Sequence, residues 1–267
     1  MPRTQVDWDA WKAVLFDLDG VVTPTAVVHM HAWDAMFNAF LTRRTAEDGV
    51  AHAPYTEQDY FAYVDGKPRY DGVRSFLASR GITLPEGTPD DPPTAQTVCG
   101  LGNSKNDAFE RILSSEGVVP YAGSVELILA LHRRGVPMAV VSSSRNAPAV
   151  LAAADLSAYF ALVVHGGLAE ELGLPGKPAP DTFAYAAHRL GATNAQAVVL
   201  EDAVSGVAAG RAGDFGLVIG VDRGAGTDAL TAAGADLVVT DLADVVPDDH
   251  PNDHPNDHAN NQPGESP

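Results

Sequence analysis

The chain has 267 residues, 45% of them hydrophobic and 19% charged, which is enough apolar material for a buried core and excludes a disordered polyelectrolyte. A formal net charge of −18 argues against a nucleic-acid partner or an anionic membrane surface, so an anionic ligand would need a locally basic site. Cys99 is the only cysteine, no stretch approaches the roughly 18 apolar residues of a membrane span, and MPRTQVDWDAWK at the N-terminus has no signal-like apolar region, so the expectation is a cytoplasmic monomer without an internal disulfide.

The first element is the apolar run AVLF (13–16), read as a buried strand. It ends in Asp17-Leu18-Asp19-Gly20. On an extended chain end the two aspartates alternate, so both side chains point the same way, toward the carboxyl edge of a sheet. Two carboxylates there suit a nucleophile and a proton-transfer group, or hard oxygen ligands for Mg²⁺. An N-cap beside a turn aspartate is the plainer alternative.

Residues 26–118 then read as helical, with apolar spacing over 26–44, 69–79 and 104–115. Strand-like runs resume at 138–142, 161–164, 197–200, 216–221 and 236–240. Between them lie helical patterns over 123–134, closed by Gly135, and over 180–190 and 203–212. This alternation predicts an α/β fold: a doubly wound parallel sheet of residues 1–25 and 119–247, with 26–118 inserted as a helical cap over the ligand-binding edge. The remainder, 248–267, repeats HPND, has no apolar residue but one alanine, and is expected to be a disordered acidic tail.

Three strand ends carry further polar groups. VVSSSRN (140–146) supplies Ser142, Ser143, Ser144, Arg145 and Asn146 at a strand-to-helix turn, where hydroxyls and backbone N–H groups bind phosphate. GKPAPD (176–181) fixes Lys177 ahead of a proline-stiffened helix start. VLEDAVSG ends a strand with the adjacent acids Glu201 and Asp202. Each alone is unspecific. Together, in this order, they combine acids for a metal with cations and hydroxyls for a phosphate.

On these four motifs, over roughly residues 13–245, the sequence resembles the haloacid dehalogenase superfamily and, within it, the β-phosphoglucomutase group. The resemblance implies a Rossmann-like core with a helical cap, and an aspartyl phosphate formed on Asp17. Asp19 would be the general acid/base, and Ser142 and Lys177 would hold phosphate. Mg²⁺ would be bound by the Asp17 carboxylate, the Asp19 carbonyl, Glu201 and Asp202. In the inserted region, VVHMHAW (27–33) resembles the group's cap helix, which implies that His29 orients Asp19 and Trp33 packs at the sugar pocket. DGKPR (65–69) implies that Gly66 touches the sugar and Arg69 grips the distal phosphate. SKND (104–107) implies that Lys105 and Asn106 face sugar hydroxyls. Pro24, Lys67-Pro68 and Arg145 depart from the group's usual residues. The implied activity is interconversion of β-D-glucose 1-phosphate and D-glucose 6-phosphate through glucose 1,6-bisphosphate. A sugar-phosphate phosphatase on the same scaffold is the alternative, and a phospho-accepting signalling module a more distant one. The implied partner is a small sugar phosphate, with neither nucleic acid nor membrane.

Overall fold

Six runs of apolar residues form six parallel strands in the computed structural model, which describes residues 5–247. They are β1 (Ala13–Phe16), β2 (Met138–Val141), β3 (Leu162–Val164), β4 (Ala197–Glu201), β5 (Leu217–Val221) and β6 (Leu237–Val239), in the order β3-β2-β1-β4-β5-β6. The expected tail at 248–267 lies outside the described residues. Alternation along each strand fills both faces of the sheet. Val14, Phe16, Met138, Val140, Val198 and Leu200 enter one apolar cluster, and Ala13, Leu15, Ala139, Val141, Ala197 and Val199 enter the other. Register aligns Val14 with both Met138 and Val198. From β1 the chain moves outward to β2 and β3, then returns to the other side of β1 for β4. The carboxyl ends of β1 and β4 therefore flank the switch point, where open α/β sheets bind ligands.

All residues between β1 and β2 that form regular structure are helical: α1 (Thr25–Asp48), α2 (Glu57–Asp59) running into a π turn at Tyr60–Val64, α3 (Arg69–Ser79), α4 (Val98–Glu116) and α5 (Ala122–Arg133). The first four surround a third apolar cluster that includes Trp33, Phe37, Tyr55, Phe76 and Leu101. Phe37 is its centre, with ring centroids 4.1 Å from Phe76, 5.0 Å from Tyr55 and 5.3 Å from Trp33. Beyond β2 lie α6 (Ala147–Ala153), α7 (Gly166–Glu171), α8 (Asp181–Arg189), α9 (Val204–Ala212) and α10 (Thr227–Ala233).

Helix ends differ from the sequence reading where local propensity and packing disagree. The first helix continues past residue 44 to Asp48, because TRRTAED contains nothing that stops it before Gly49 takes φ 70 and caps Thr45. Helix α4 begins at Val98 rather than 104, with the Thr97 hydroxyl accepting from the Gly100 N–H at 2.9 Å. Gly100 and Gly102 hide that start, because glycine is a poor helix former. Packing explains them: a Cβ at Gly102 would lie 2.7 Å from the Tyr70 ring, and one at Gly100 would lie 2.4 Å from the Ala95 carbonyl oxygen.

Truncating Phe37 to alanine removes the middle of the helical layer's core. The expected cost is about 3–5 kcal/mol, read as a lower urea midpoint, and a loss below about 1 kcal/mol would show that this core is not cooperative with the rest.

Candidate active site

Lys177 lies under the switch point, 3% exposed. Its ammonium donates to Asp17 Oδ1 at 2.5 Å, to Glu201 Oε1 at 2.6 Å and to the Val141 carbonyl at 3.1 Å. All three N–H groups are thus committed to protein acceptors, and a direct bond to a phosphate would have to replace one of them. The other Glu201 oxygen accepts from the Ala203 N–H at 2.8 Å. Gly206 makes room for this carboxylate, since a Cβ there would stand 1.7 Å from Oε1.

These acids outnumber their cation. Burial pushes Asp17 well above the usual carboxylate range, with Glu201 and Asp19 adding to it against the pull of Lys177. Burial does the same to Asp202, reinforced by Asp65, Glu201 and Asp17. Lys177 loses by burial but gains more from Asp17 and Glu201, and stays charged.

Asp19 occupies a tight turn after β1. Gly20 has φ +97, and a Cβ there would meet Asp202 Oδ2 at 1.8 Å, so glycine lets the two acidic loops touch. The Thr25 hydroxyl donates to Asp19 Oδ1 at 2.5 Å and the Ser142 hydroxyl to Oδ2 at 3.2 Å. His29 Nε2 stands 3.3 Å from Oδ1, within ion-pair reach but without an aligned hydrogen bond. Its Nδ1 meets the ammonium of Lys105, and its ring stacks on Phe109. Burial alone would raise Asp19, but His29 and Thr25 outweigh it and hold the carboxyl at about 2. Burial and Lys105 depress His29, while burial and Arg69 bring Lys105 down to about 7. His29 and Lys105 cannot both be charged comfortably, since the Lys105 ammonium faces His29 Nδ1 in a buried site.

The helical layer closes over this floor and leaves a cleft of about 400 Å³. The Ser143 hydroxyl donates to the Gly66 carbonyl at 2.8 Å, and the Ser205 hydroxyl to the Asp65 carbonyl at 3.0 Å. Asn106 Oδ1 accepts from Arg69 at 2.7 Å and from Asn146 at 2.8 Å, joining α4 to the start of α6. Ser144 accepts from the Asn146 N–H at 3.2 Å, a local turn bond. Trp33 stacks on Phe37 in the helical core and also lines the cleft, with the Lys105 ammonium 5.1 Å from its ring centre.

Most of the anticipated residues therefore converge, with three qualifications of geometry. Lys177 is beneath the cleft rather than on its surface, and Asn146 is behind its wall. Arg145 lines the cleft, but its guanidinium is paired with Glu170. Lys67 turns back to the Tyr63 carbonyl and the Ser75 hydroxyl, both at 2.9 Å. Thr25 and Asp65 were not singled out from sequence. Thr25 follows the acidic pair within the same short motif. Asp65 stands directly before Gly66, and burial with Glu201 nearby raises it to about 7. Tyr60 also lines the cleft.

Hard carboxylate oxygens from Asp17 and Asp202, short of countercharge, are the kind of donors a divalent cation uses. Among the described residues, however, no three acidic or imidazole side chains are already gathered for a metal, since Glu201 is bound to Lys177.

Residues 11–214 match the model of the haloacid dehalogenase-like hydrolase family. The chain is 49% identical over 239 residues to the β-phosphoglucomutase of Mycobacterium bovis, covering 88% of this chain and 91% of that one. It is 29% identical over 207 residues to the fructose-1-phosphate phosphatase of Escherichia coli, covering 77% and 94%. A crystal structure of β-phosphoglucomutase from Clostridium difficile shares the fold, with a TM-score of 0.67 at 20% identity over 87% of this chain and 92% of that one. A parallel sheet with an acid pair at its switch point and a helical layer over it defines a recognisable class of protein. The chain belongs to the haloacid dehalogenase-like hydrolase family and resembles its β-phosphoglucomutase members.

Gly66 tests whether the layer must dock as observed. Its φ is +68, and a Cβ would stand 2.3 Å from Ser205 Oγ and 3.0 Å from the Ala203 Cβ. Gly66→Ala should lower kcat/KM about tenfold or more, the equivalent of roughly 1–2 kcal/mol of backbone strain, with helical content by circular dichroism unchanged. Unchanged kinetics would mean that this contact does not limit turnover.

Proposed function

We propose that the protein is a phosphoryl-transfer enzyme acting on a sugar phosphate, and specifically that it interconverts β-D-glucose 1-phosphate and D-glucose 6-phosphate through glucose 1,6-bisphosphate. The observation that carries this reading is one partly open cleft lined by the Asp17–Asp19 pair from the sheet edge and by the cation Arg69 from the helical layer. A bisphosphate has two anionic ends, and such a cleft offers each end a site.

In this reading Asp17 attacks phosphorus, the bond from phosphorus to the sugar oxygen breaks, and an aspartyl phosphate forms while the leaving oxygen takes a proton from Asp19. In the return step a sugar hydroxyl attacks the aspartyl phosphate as Asp19 accepts its proton. Asp19, held at about 2, is ionised at rest, so it enters the return step unprotonated and has to gain a proton before it can act as the acid of the first step. His29, 3.3 Å from the Asp19 carboxyl, is the group placed to supply that proton once its ring aligns with Asp19, and Lys105 faces its other nitrogen. Mg²⁺, held by Asp17, Asp202 and the Asp19 carbonyl with Glu201 beside them, would neutralise charge so that a carboxylate can face a phosphate. Ser142 and Ser143 line the cleft where the transferring phosphate would lie, through their hydroxyls rather than the Ser142 N–H, which is given to the Val164 carbonyl at 2.9 Å, and Lys177 fixes Asp17 for in-line attack.

One feature favours the phosphatase alternative, in which water accepts the phosphoryl group. Arg145, the second candidate for a distal grip, is already paired with Glu170. Arg69 remains oriented by Asn103 and Asn106, and retains the bidentate fork that suits phosphate.

Turnover of β-D-glucose 1-phosphate, with and without added glucose 1,6-bisphosphate, separates the two readings. The mutase reading predicts glucose 6-phosphate, and release of inorganic phosphate as the main product would contradict it. Arg69→Ala should lower kcat/KM on the sugar phosphate roughly a hundredfold, for a charge-assisted contact of about 3 kcal/mol. Loading of Asp17 by acetyl phosphate, which has no second phosphate, should change far less. Equal losses on both would assign Arg69 to the fold.

A further inference from the structure

Arg223 lies outside the cleft, in the loop after β5, yet it touches the turn that carries Asp19. Its Nε donates to the Gly20 carbonyl at 3.0 Å and one terminal nitrogen donates to the Thr240 carbonyl, just after β6, at 2.8 Å. The other terminal nitrogen is buried without a partner. The guanidinium lies 3.8 Å from the ring centre of Tyr121. Tyr121 stands where the chain returns from the helical layer to the sheet, immediately before α5, and its N–H donates to the Val22 carbonyl at 3.0 Å.

The turn itself is stiff only over a short span. Gly20 N–H donates to Thr23 O at 2.7 Å, and the Val22 and Thr23 N–H groups both donate to Leu18 O, at 2.9 and 3.0 Å. These bonds close the turn on itself but do not orient it against the rest of the protein. That orientation comes from the fully buried side chains of Leu18, Val21 and Val22 and, from behind, from the Ser124 hydroxyl on Val21 O at 2.6 Å, Tyr121 on Val22 O, and Arg223 on Gly20 O. Arg223 is the one of these that is charged, and it reaches across from a distant part of the chain. Its own loop is fixed by Asp222, which accepts from Gly224 and Gly226 N–H at 3.0 and 3.1 Å and from Thr227 Oγ1 at 3.0 Å. Gly224 in turn faces Phe61 on the π turn of the helical layer, with 3.2 Å from an added Cβ to that ring.

We propose that Arg223 is a positioning residue. It ties the Asp19 turn to the returning linker at Tyr121, so that the Asp19 carboxyl is aimed at the sugar oxygen when the helical layer is docked. The proposal rests on the acid/base reading of Asp19 given above. Arg223 touches no reacting atom. It acts through the Gly20 carbonyl, one residue from Asp19, and through a ring whose place depends on the linker. A planar guanidinium can stack on Tyr121 while donating in two directions within its plane, and an ammonium cannot.

The test compares Arg223→Met, Arg223→Lys and Tyr121→Leu with the wild-type enzyme. Three quantities are read: kcat and KM on β-D-glucose 1-phosphate, single-turnover loading of Asp17 by acetyl phosphate, and hydrogen exchange over residues 18–25. Arg223→Met should lower kcat roughly ten- to a hundredfold, as for a catalytic group misplaced by about an ångström, with KM changed less than about twofold. Loading by acetyl phosphate, whose leaving group needs no proton from Asp19, should be nearly unchanged, and exchange over 18–25 should accelerate. Arg223→Lys should recover part of kcat. If Arg223→Met does not fold, Tyr121→Leu carries the test and should shift kcat and exchange in the same directions by less. Wild-type kcat in the folded variants, or equal losses of sugar turnover and Asp17 loading, would overturn the proposal. A wild-type enzyme that loads Asp17 but transfers nothing to or from sugar would instead refute the functional reading on which it rests.

Discussion

The ammonium of Lys177 holds the site together from beneath. Its three acceptors belong to the ends of three adjacent strands: Asp17 after β1, Val141 of β2 and Glu201 of β4. One buried cation thus joins the centre of the sheet at the edge where the chemistry is expected. Removing it would leave two buried carboxylates facing each other, which in comparable cases costs about 3–5 kcal/mol. It also leaves a surplus of acids over cations at the edge, where burial raises Asp202 and Asp65 for want of the countercharge that a single lysine does not supply. That surplus makes the edge receptive to a divalent cation and, through it, to phosphate.

The helical layer completes what the sheet edge begins. It contributes His29 and Lys105 beside Asp19, and Arg69 at the far end of the cleft. Its attachments to the sheet combine hydrogen bonds, Gly66 to Ser143, Asp65 to Ser205 and Asn106 to Asn146, with Ala32 and Phe109, which enter the apolar cluster of one sheet face. The layer also keeps a core of its own around Phe37, so most of its apolar packing does not depend on the joint with the sheet. Substrate entry and water exclusion can therefore both be served by one joint.

The strands were legible because a strand buried on both faces is a near-continuous apolar run, as AVLF and MAVV are, and the partly exposed edge strands β3 and β6, both LVV, keep the same pattern. The acid pair was legible only together with the three later strand ends, because alone it also reads as an N-cap beside a turn aspartate. What stayed hidden depends on contacts between distant segments. The start of α4 is masked by glycines whose purpose is to fit Tyr70 and Ala95. The commitment of Lys177 to three protein acceptors, the pairing of Arg145 with Glu170, and the place of Asp65 beside Glu201 are products of tertiary packing. No local spacing announces them.

The central claim is that Asp17 carries the phosphoryl group. Borohydride reduction of the enzyme, quenched during turnover of a sugar phosphate and followed by peptide mass spectrometry, reads it directly. An acyl phosphate on Asp17 is reduced to homoserine at that position, and this is the predicted result. Homoserine at another aspartate, or an unmodified Asp17 peptide from enzyme quenched during active turnover, would contradict the account.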